Sequence, residues 1–135
     1  MGCDIHIIVE HRYGEDDDWR YVPYPIKMPR NYNAFAKLAN VRNYGDVKLI
    51  SCPRGLPADW DKKKRKYFNS QYMYTGIESP EDAHSDSWLF FKEVLEAEGD
   101  LYSLKRELIK CIANTYEYTF DDKPENFRIV FNFDN

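Results

Sequence analysis

A chain of 135 residues is long enough for one domain with a real core and too short for two of ordinary size. A hydrophobic fraction of 43%, with Tyr 11, Phe 8 and Trp 3, marks a globular protein, while the formal net charge of -4 argues against general nucleic-acid coating, which needs many Lys and Arg to neutralise phosphates. No stretch approaches the roughly 20 apolar residues of a membrane span, and Cys3, Cys52 and Cys111, scattered without C-x-x-C spacing, fit buried free thiols in a reducing cytosol better than disulfides or a zinc knuckle.

The first ten residues, MGCDIHIIVE, read as a β-strand with chemistry on one side. Successive strand side chains point to opposite faces, so Cys3, Ile5, Ile7 and Val9 form an apolar row and Asp4, His6, Ile8 and Glu10 form the other. One row wants a core; the other gathers two carboxylates and an imidazole. A sheet with one solvated face alternates in the same way, so an ordinary surface is the plain alternative. Asp4, His6 and Glu10 also stand where a signal peptide would be apolar, which places the start of the chain within the fold.

The turn-rich acidic stretch Tyr13–Asp18 followed by Trp19–Val22, stopped by Pro23 and Pro25, predicts a hairpin. Asn33 can cap a short helix over Ala34–Ala39 in which Phe35, Leu38 and Ala39 share a face, with Asn40 and Gly45 at its exit. Val47–Ser51 reads as a small strand. It leads into Pro53-Arg54-Gly55-Leu56-Pro57, a fixed turn around one arginine that either hooks an anion or braces the loop through backbone carbonyls.

Asp59–Tyr67 has acids at one end and the basic run Lys62–Lys66 at the other, as a short helix would; a phosphate-binding face with Trp60, Tyr67 and Phe68 is the rarer reading. Asn69–Asp82 is expected to be an irregular loop. Ser85, Asp86 or Ser87 can cap a helix carrying Trp88, Phe91, Val94 and Leu95, which would set His84 just ahead of a helix N-terminus, where an anion is welcome. After Gly99, the spacing of Leu101, Leu104, Leu108, Cys111, Ile112 and Thr115 predicts the main packing helix.

The chain closes on Phe127–Asn135, where Phe127, Ile129, Phe131 and Phe133 face one way and Arg128, Val130, Asn132 and Asp134 the other. The two terminal segments share one grammar and are expected to be sheet neighbours. The prediction is a single α+β domain over residues 1–135: a small, mostly antiparallel sheet containing both terminal strands, with helices packed on one face.

The Met1–His6 start with Glu10, the stretches Arg30–Tyr32, Val41–Asn43, Pro53–Pro57 and His84–Leu89, and the Arg128–Asn135 end together resemble an uncharacterised family of small proteins common in phage genomes and found in bacteria. The resemblance spans nearly the whole chain. It implies a phage-type protein in the cytoplasm of a bacterial host cell, and it brings no reaction with it. The Lys62–Lys66 run departs from the family, whose members often have a shorter and more acidic stretch there.

Two chemistries fit these residues. In a metal-assisted hydrolase, Asp4 and His6, two apart on one strand face, would hold a divalent ion with His84, Asp134 or Glu10, and Arg54, Arg128, Arg42, Ser85 and Asn132 would bind a phosphodiester or nucleotide. Without a metal, His6 and His84 would serve as general base and acid, with Glu10 as a further catalytic candidate. In a non-catalytic binding protein, Arg30, Arg42, Arg54 and Arg128 would clamp a nucleotide signal, or the surface would inhibit a host protein. A third reading makes Asp4, His6, Arg128 and Asp134 a buried ionic network that orders the sheet. No membrane partner is expected, and oligomers are possible.

Overall fold

The strand nearest the start of the chain pairs along its whole length with the strand nearest the end. The computed structural model describes residues 2–60, 83–119 and 123–134. Its elements are β1 (Asp4–His11), β2 (Arg20–Val22), α1 (Tyr32–Ala39), β3 (His84–Phe90), α2 (Phe91–Glu96), α3 (Tyr102–Thr119), a 3-10 turn (Pro124–Asn126) and β4 (Phe127–Asp134). The strands form one antiparallel sheet in the order β2-β1-β4-β3. This is the α+β fold expected from the two terminal repeats of alternation.

The β1/β4 register runs from Asp4 opposite Asp134 to His11 opposite Phe127. It puts Ile5, Ile7 and Val9 beside Phe133, Phe131 and Ile129 on one face, and the three helices cover that face. Phe35 of α1 meets Phe133 edge-on at 5.1 Å, and Phe91 of α2 stacks on Phe127 at 5.1 Å. Leu101, Leu104, Leu108 and Cys111 bring α3 into the same core, as their 3.6-residue spacing demands. Burying such side chains drives the fold at about 1.5–3 kcal/mol each.

Three local expectations need correction. Asn31, not Asn33, caps α1: its side chain accepts from Ala34 N at 3.2 Å. Asn40 leaves that helix at φ 58°, the left-handed exit an Asn tolerates. Val47–Ser51 is irregular rather than a strand, because the Asn43 amide takes the Val47 N–H at 2.8 Å and donates to the Val47 carbonyl at 3.0 Å, while Ile50 N bonds back to Lys37 O.

The third correction moves His84. His84–Phe90 is the edge strand β3, and the helix starts only at Phe91. Ser87 and Leu89 alternate inward opposite Phe131 and Ile129, so pairing with β4 overrides the capping potential of Ser85, Asp86 and Ser87. Glu93 accepts from Phe90 N at 3.1 Å and supplies the start of α2. The expected Asp59–Tyr67 helix and the Asn69–Asp82 loop lie largely outside the described residues.

Candidate functional site

The polar face of the central strand pair has four rungs: Asp4 with Asp134, His6 with Asn132, Ile8 with Val130, and Glu10 with Arg128. It is not a solvated surface. His6, Ile8, Glu10, Arg128, Val130 and Asn132 are all buried. The Ile8/Val130 rung is an apolar bar that separates two polar groups of different character.

The first group is closed on itself. Arg128 Nε donates to Glu10 Oε1 at 2.8 Å, and its Nη2 reaches Asp59 at 2.9 and 3.0 Å. Trp60 Nε1 donates to Glu10 at 3.2 Å. The Arg128 guanidinium lies 4.2 Å from the Trp19 ring and 5.9 Å from that of Trp88. Arg12 covers the Trp19 ring at 4.5 Å, and Arg54 lies 4.8 Å from that of Trp88. Arginine and indole thus alternate as Arg12, Trp19, Arg128, Trp88, Arg54, with each contact worth about 0.5–2 kcal/mol.

Arg54 is equally committed. Its two terminal nitrogens hold Glu93 at 2.8 and 2.6 Å, and Nη1 also donates to the Trp88 carbonyl at 3.2 Å. With Gly55 N bonding to Asp86 O, the Pro53–Pro57 turn covers the outer edge of β3. Arg54 braces the loop through one backbone carbonyl, that of Trp88, and its fork holds the Glu93 carboxylate. Both arginine forks expected to receive phosphate are filled by the protein's own carboxylates, and the expected network of Asp4, His6, Arg128 and Asp134 is divided: Arg128 pairs with Glu10 and Asp59, His6 with Asp134, and Asp4 with Arg30.

The second group is built on His6. Its Nε2 hydrogen-bonds Asp134 Oδ2 at 2.6 Å, which orients the ring and leaves Nδ1 as the second functional nitrogen. Asp4 on the neighbouring rung is bound bidentately by Arg30 at 2.7 and 3.1 Å, and that hydrogen bonding holds its carboxyl below the usual carboxylate range. The Arg30 guanidinium sits over the Gly2 α-carbon, where a Cβ would lie 1.9 Å from Nη1. Asn132, opposite His6, is 5% exposed, and its Oδ1 has no hydrogen-bond partner.

His84 does not join this group. It pairs with Phe133, and its ring stacks on the Phe133 ring at 6.1 Å, so it lies on the opposite face of the sheet from His6. The expected acid–base pair is therefore split by the sheet. Ser85 bonds His84 Nδ1 at 3.0 Å and sits at φ 58° in the irregular stretch of β3. Arg42, at φ 53°, lies 5.4 Å from the Tyr32 ring. Among the described residues, no three His, Cys, Asp or Glu converge as a metal would require, so Asp4, His6 and Asp134 do not form the expected metal triad.

Sequence reasoning missed Trp19, Trp88, Asp59 and Glu93, the residues that close the arginine forks. No local signal could have found them, since Glu93 lies 39 residues from Arg54 and Asp59 lies 69 from Arg128. Of the cysteines, Cys3 and Cys111 are buried and free as expected, but Cys52 is exposed. No helix among the described residues is long and apolar enough to cross a membrane. No family model, curated protein or solved structure matches the chain.

Proposed function

We propose that the chain is a non-catalytic binding protein of the phage type its sequence resembles, which sequesters a nucleotide signal in the cytoplasm of a bacterial host cell. The observation that supports this most is the separation of the two histidines: His6 shares its face with Asn132, His84 with Phe133. A proton donor and acceptor on opposite faces of a sheet do not flank one scissile bond. Glu10, the remaining catalytic candidate, is tied to Arg128 and Trp60. What remains is a largely buried hydrogen-bonding group, His6 with Asp134 and Asn132, which meets solvent at Asp134 and the neighbouring Asp4.

The 2.6 Å bond between His6 and Asp134 favours one other reading, a metal-assisted hydrolase of a phosphodiester or nucleotide in which Asp134 orients His6 as the base. A divalent ion at Asp4 would have to displace Arg30 from it. Incubating the purified protein with cyclic and linear nucleotides, with and without magnesium or manganese, separates the two. Intact nucleotide recovered from the protein, with no product in either condition, is the expected result. Product that disappears in His6→Ala would instead establish the hydrolase, and failure to retain any nucleotide would remove the sequestering function.

A further inference from the structure

A strand at the edge of a sheet turns a row of backbone N–H and C=O groups outward, a template on which another chain can pair. Among the described residues β3 is such an edge, with β4 on one side of it and no strand on the other. The backbone groups of alternate residues point the same way, and in β3 the residues that face away from β4 are Asp86, Trp88 and Phe90. Each is met by a group from outside the sheet. The Asp86 carbonyl accepts from Gly55 N at 2.9 Å, the Trp88 carbonyl accepts from Arg54 Nη1 at 3.2 Å, and Phe90 N donates to Glu93 Oε1 at 3.1 Å.

These contacts form one unit, because Arg54 and Glu93 hold each other at 2.8 and 2.6 Å. Arg54 N also donates to the Ser87 hydroxyl at 3.0 Å, which fixes the position of the turn along the strand. Pro53 and Pro57 flank the turn and have no N–H, so its own outer side offers little for a further strand to pair with. The Arg54 and Glu93 side chains are 26% and 29% exposed, so their pair can open locally without unfolding the core.

We infer that the Pro53–Pro57 turn is a strap that keeps the edge of β3 from pairing, that the Arg54–Glu93 pair is its clasp, and that the partner it excludes is β3 of a second copy of this chain. The register selects that partner. In an antiparallel β3/β3 pair with its two-fold axis at Trp88, Asp86 of one copy stands opposite Phe90 of the other, since each lies two residues from the axis. The carbonyl that Gly55 releases then faces the N–H that Glu93 releases, and the same match recurs on the other side of the axis. The irregular stretch at Ser85, where φ is 58°, and the start of α2 at Phe91 bound the ladder at its two ends. A two-fold pair uses β3 of both copies at once, so it closes as a dimer and does not grow into a fibre.

The test is size exclusion with light scattering on the full chain over a concentration series, together with hydrogen exchange of the β3 amides, for the wild type, Arg54→Ala and Glu93→Gln. The wild type is expected at 16.1 kDa. Arg54→Ala is expected at twice that mass, with Trp88 and Phe90 amides that exchange more slowly as concentration rises. Glu93→Gln keeps the shape of the side chain and loses the ion pair; it is expected to shift in the same direction, and it decides the matter if Arg54→Ala does not fold. A folded clasp variant that stays monomeric at every concentration overturns the inference, as does a dimer in which the Trp88 and Phe90 amides exchange no more slowly than in the monomer. Growth past the dimer overturns the two-fold pairing, and a wild type that already dimerises through β3 overturns the strap.

Discussion

Glu10 and Arg128 stand opposite each other on the two central strands with Arg128 Nη2 at 2.6 Å from Glu10 Oε1, and their side chains are 0% and 4% exposed. Two charges this dry are held only because each offsets the desolvation of the other. Removing one leaves the other buried. Arg128→Met should destabilise the protein by about 3–5 kcal/mol, and the double variant Glu10→Leu/Arg128→Met should regain most of that loss, because neither charge of the rung is then buried alone and Asp59, 42% exposed, keeps access to water. Urea unfolding of the three proteins checks this; an Arg128→Met protein as stable as the wild type would contradict a buried pair.

The Arg54–Glu93 pair carries a pH signature. Hydrogen bonds from Arg54 hold the Glu93 carboxyl below its ordinary value of 4.5. A folded pKa below the unfolded one means that the native state binds its proton later, so the contribution to stability is complete above pH 4.5 and is lost as pH falls through the lowered value. Urea midpoints measured between neutral pH and pH 3 should fall less steeply for Glu93→Gln than for the wild type. Identical slopes would mean that Glu93 titrates alike in both states.

Thiol chemistry should sort the three cysteines by burial. Burial pushes the Cys111 thiol up to about 12 and raises that of Cys3, which leaves little thiolate on either at neutral pH. Cys52 is exposed. Iodoacetamide at pH 8 should therefore add a single label to the native protein, at Cys52, and three labels in denaturant, read by intact mass and peptide mapping. Rapid native labelling of Cys111 would be incompatible with α3 packed on the sheet.

The two histidines should differ in what they disturb. His6→Ala removes a group beside Asn132 and should weaken nucleotide retention by about tenfold, the worth of one hydrogen bond. His84→Ala should leave retention unchanged and cost about 0.5–1.5 kcal/mol of stability through the lost stack on Phe133. Equal losses of binding in both variants would place the histidines in one site after all.

What the sequence discloses here is what depends on near neighbours. The alternation in Asp4–His11 and Phe127–Asp134 and the helical spacing from Leu101 to Thr115 are local patterns, and each became the expected element on the expected face. His84–Phe90 misled because Ser85, Asp86 and Ser87 are good caps, and Trp88, Phe91, Val94 and Leu95 fit a helix; only pairing with β4 decides otherwise. The arginine forks misled for the same reason. Glu93 lies 39 residues beyond Arg54, and Glu10 lies 118 before Arg128, so nothing in either neighbourhood says that the forks are filled. The unpartnered amide oxygen of Asn132 could not be read at all, since it depends on what the fold brings near it.

The β1/β4 pairing also governs how the protein is made. Contacts such as His6 with Asp134 close a loop of 128 residues, and β1 before then has only the three-residue β2 beside it. Ile5, Ile7 and Val9 stay without their central partner until Phe127–Asp134 has been made, so completion of the sheet waits on that segment. Non-local closure of this kind is slow and leaves apolar strand exposed meanwhile. The meeting of β1 with β4 is thus the step on which folding of this chain waits.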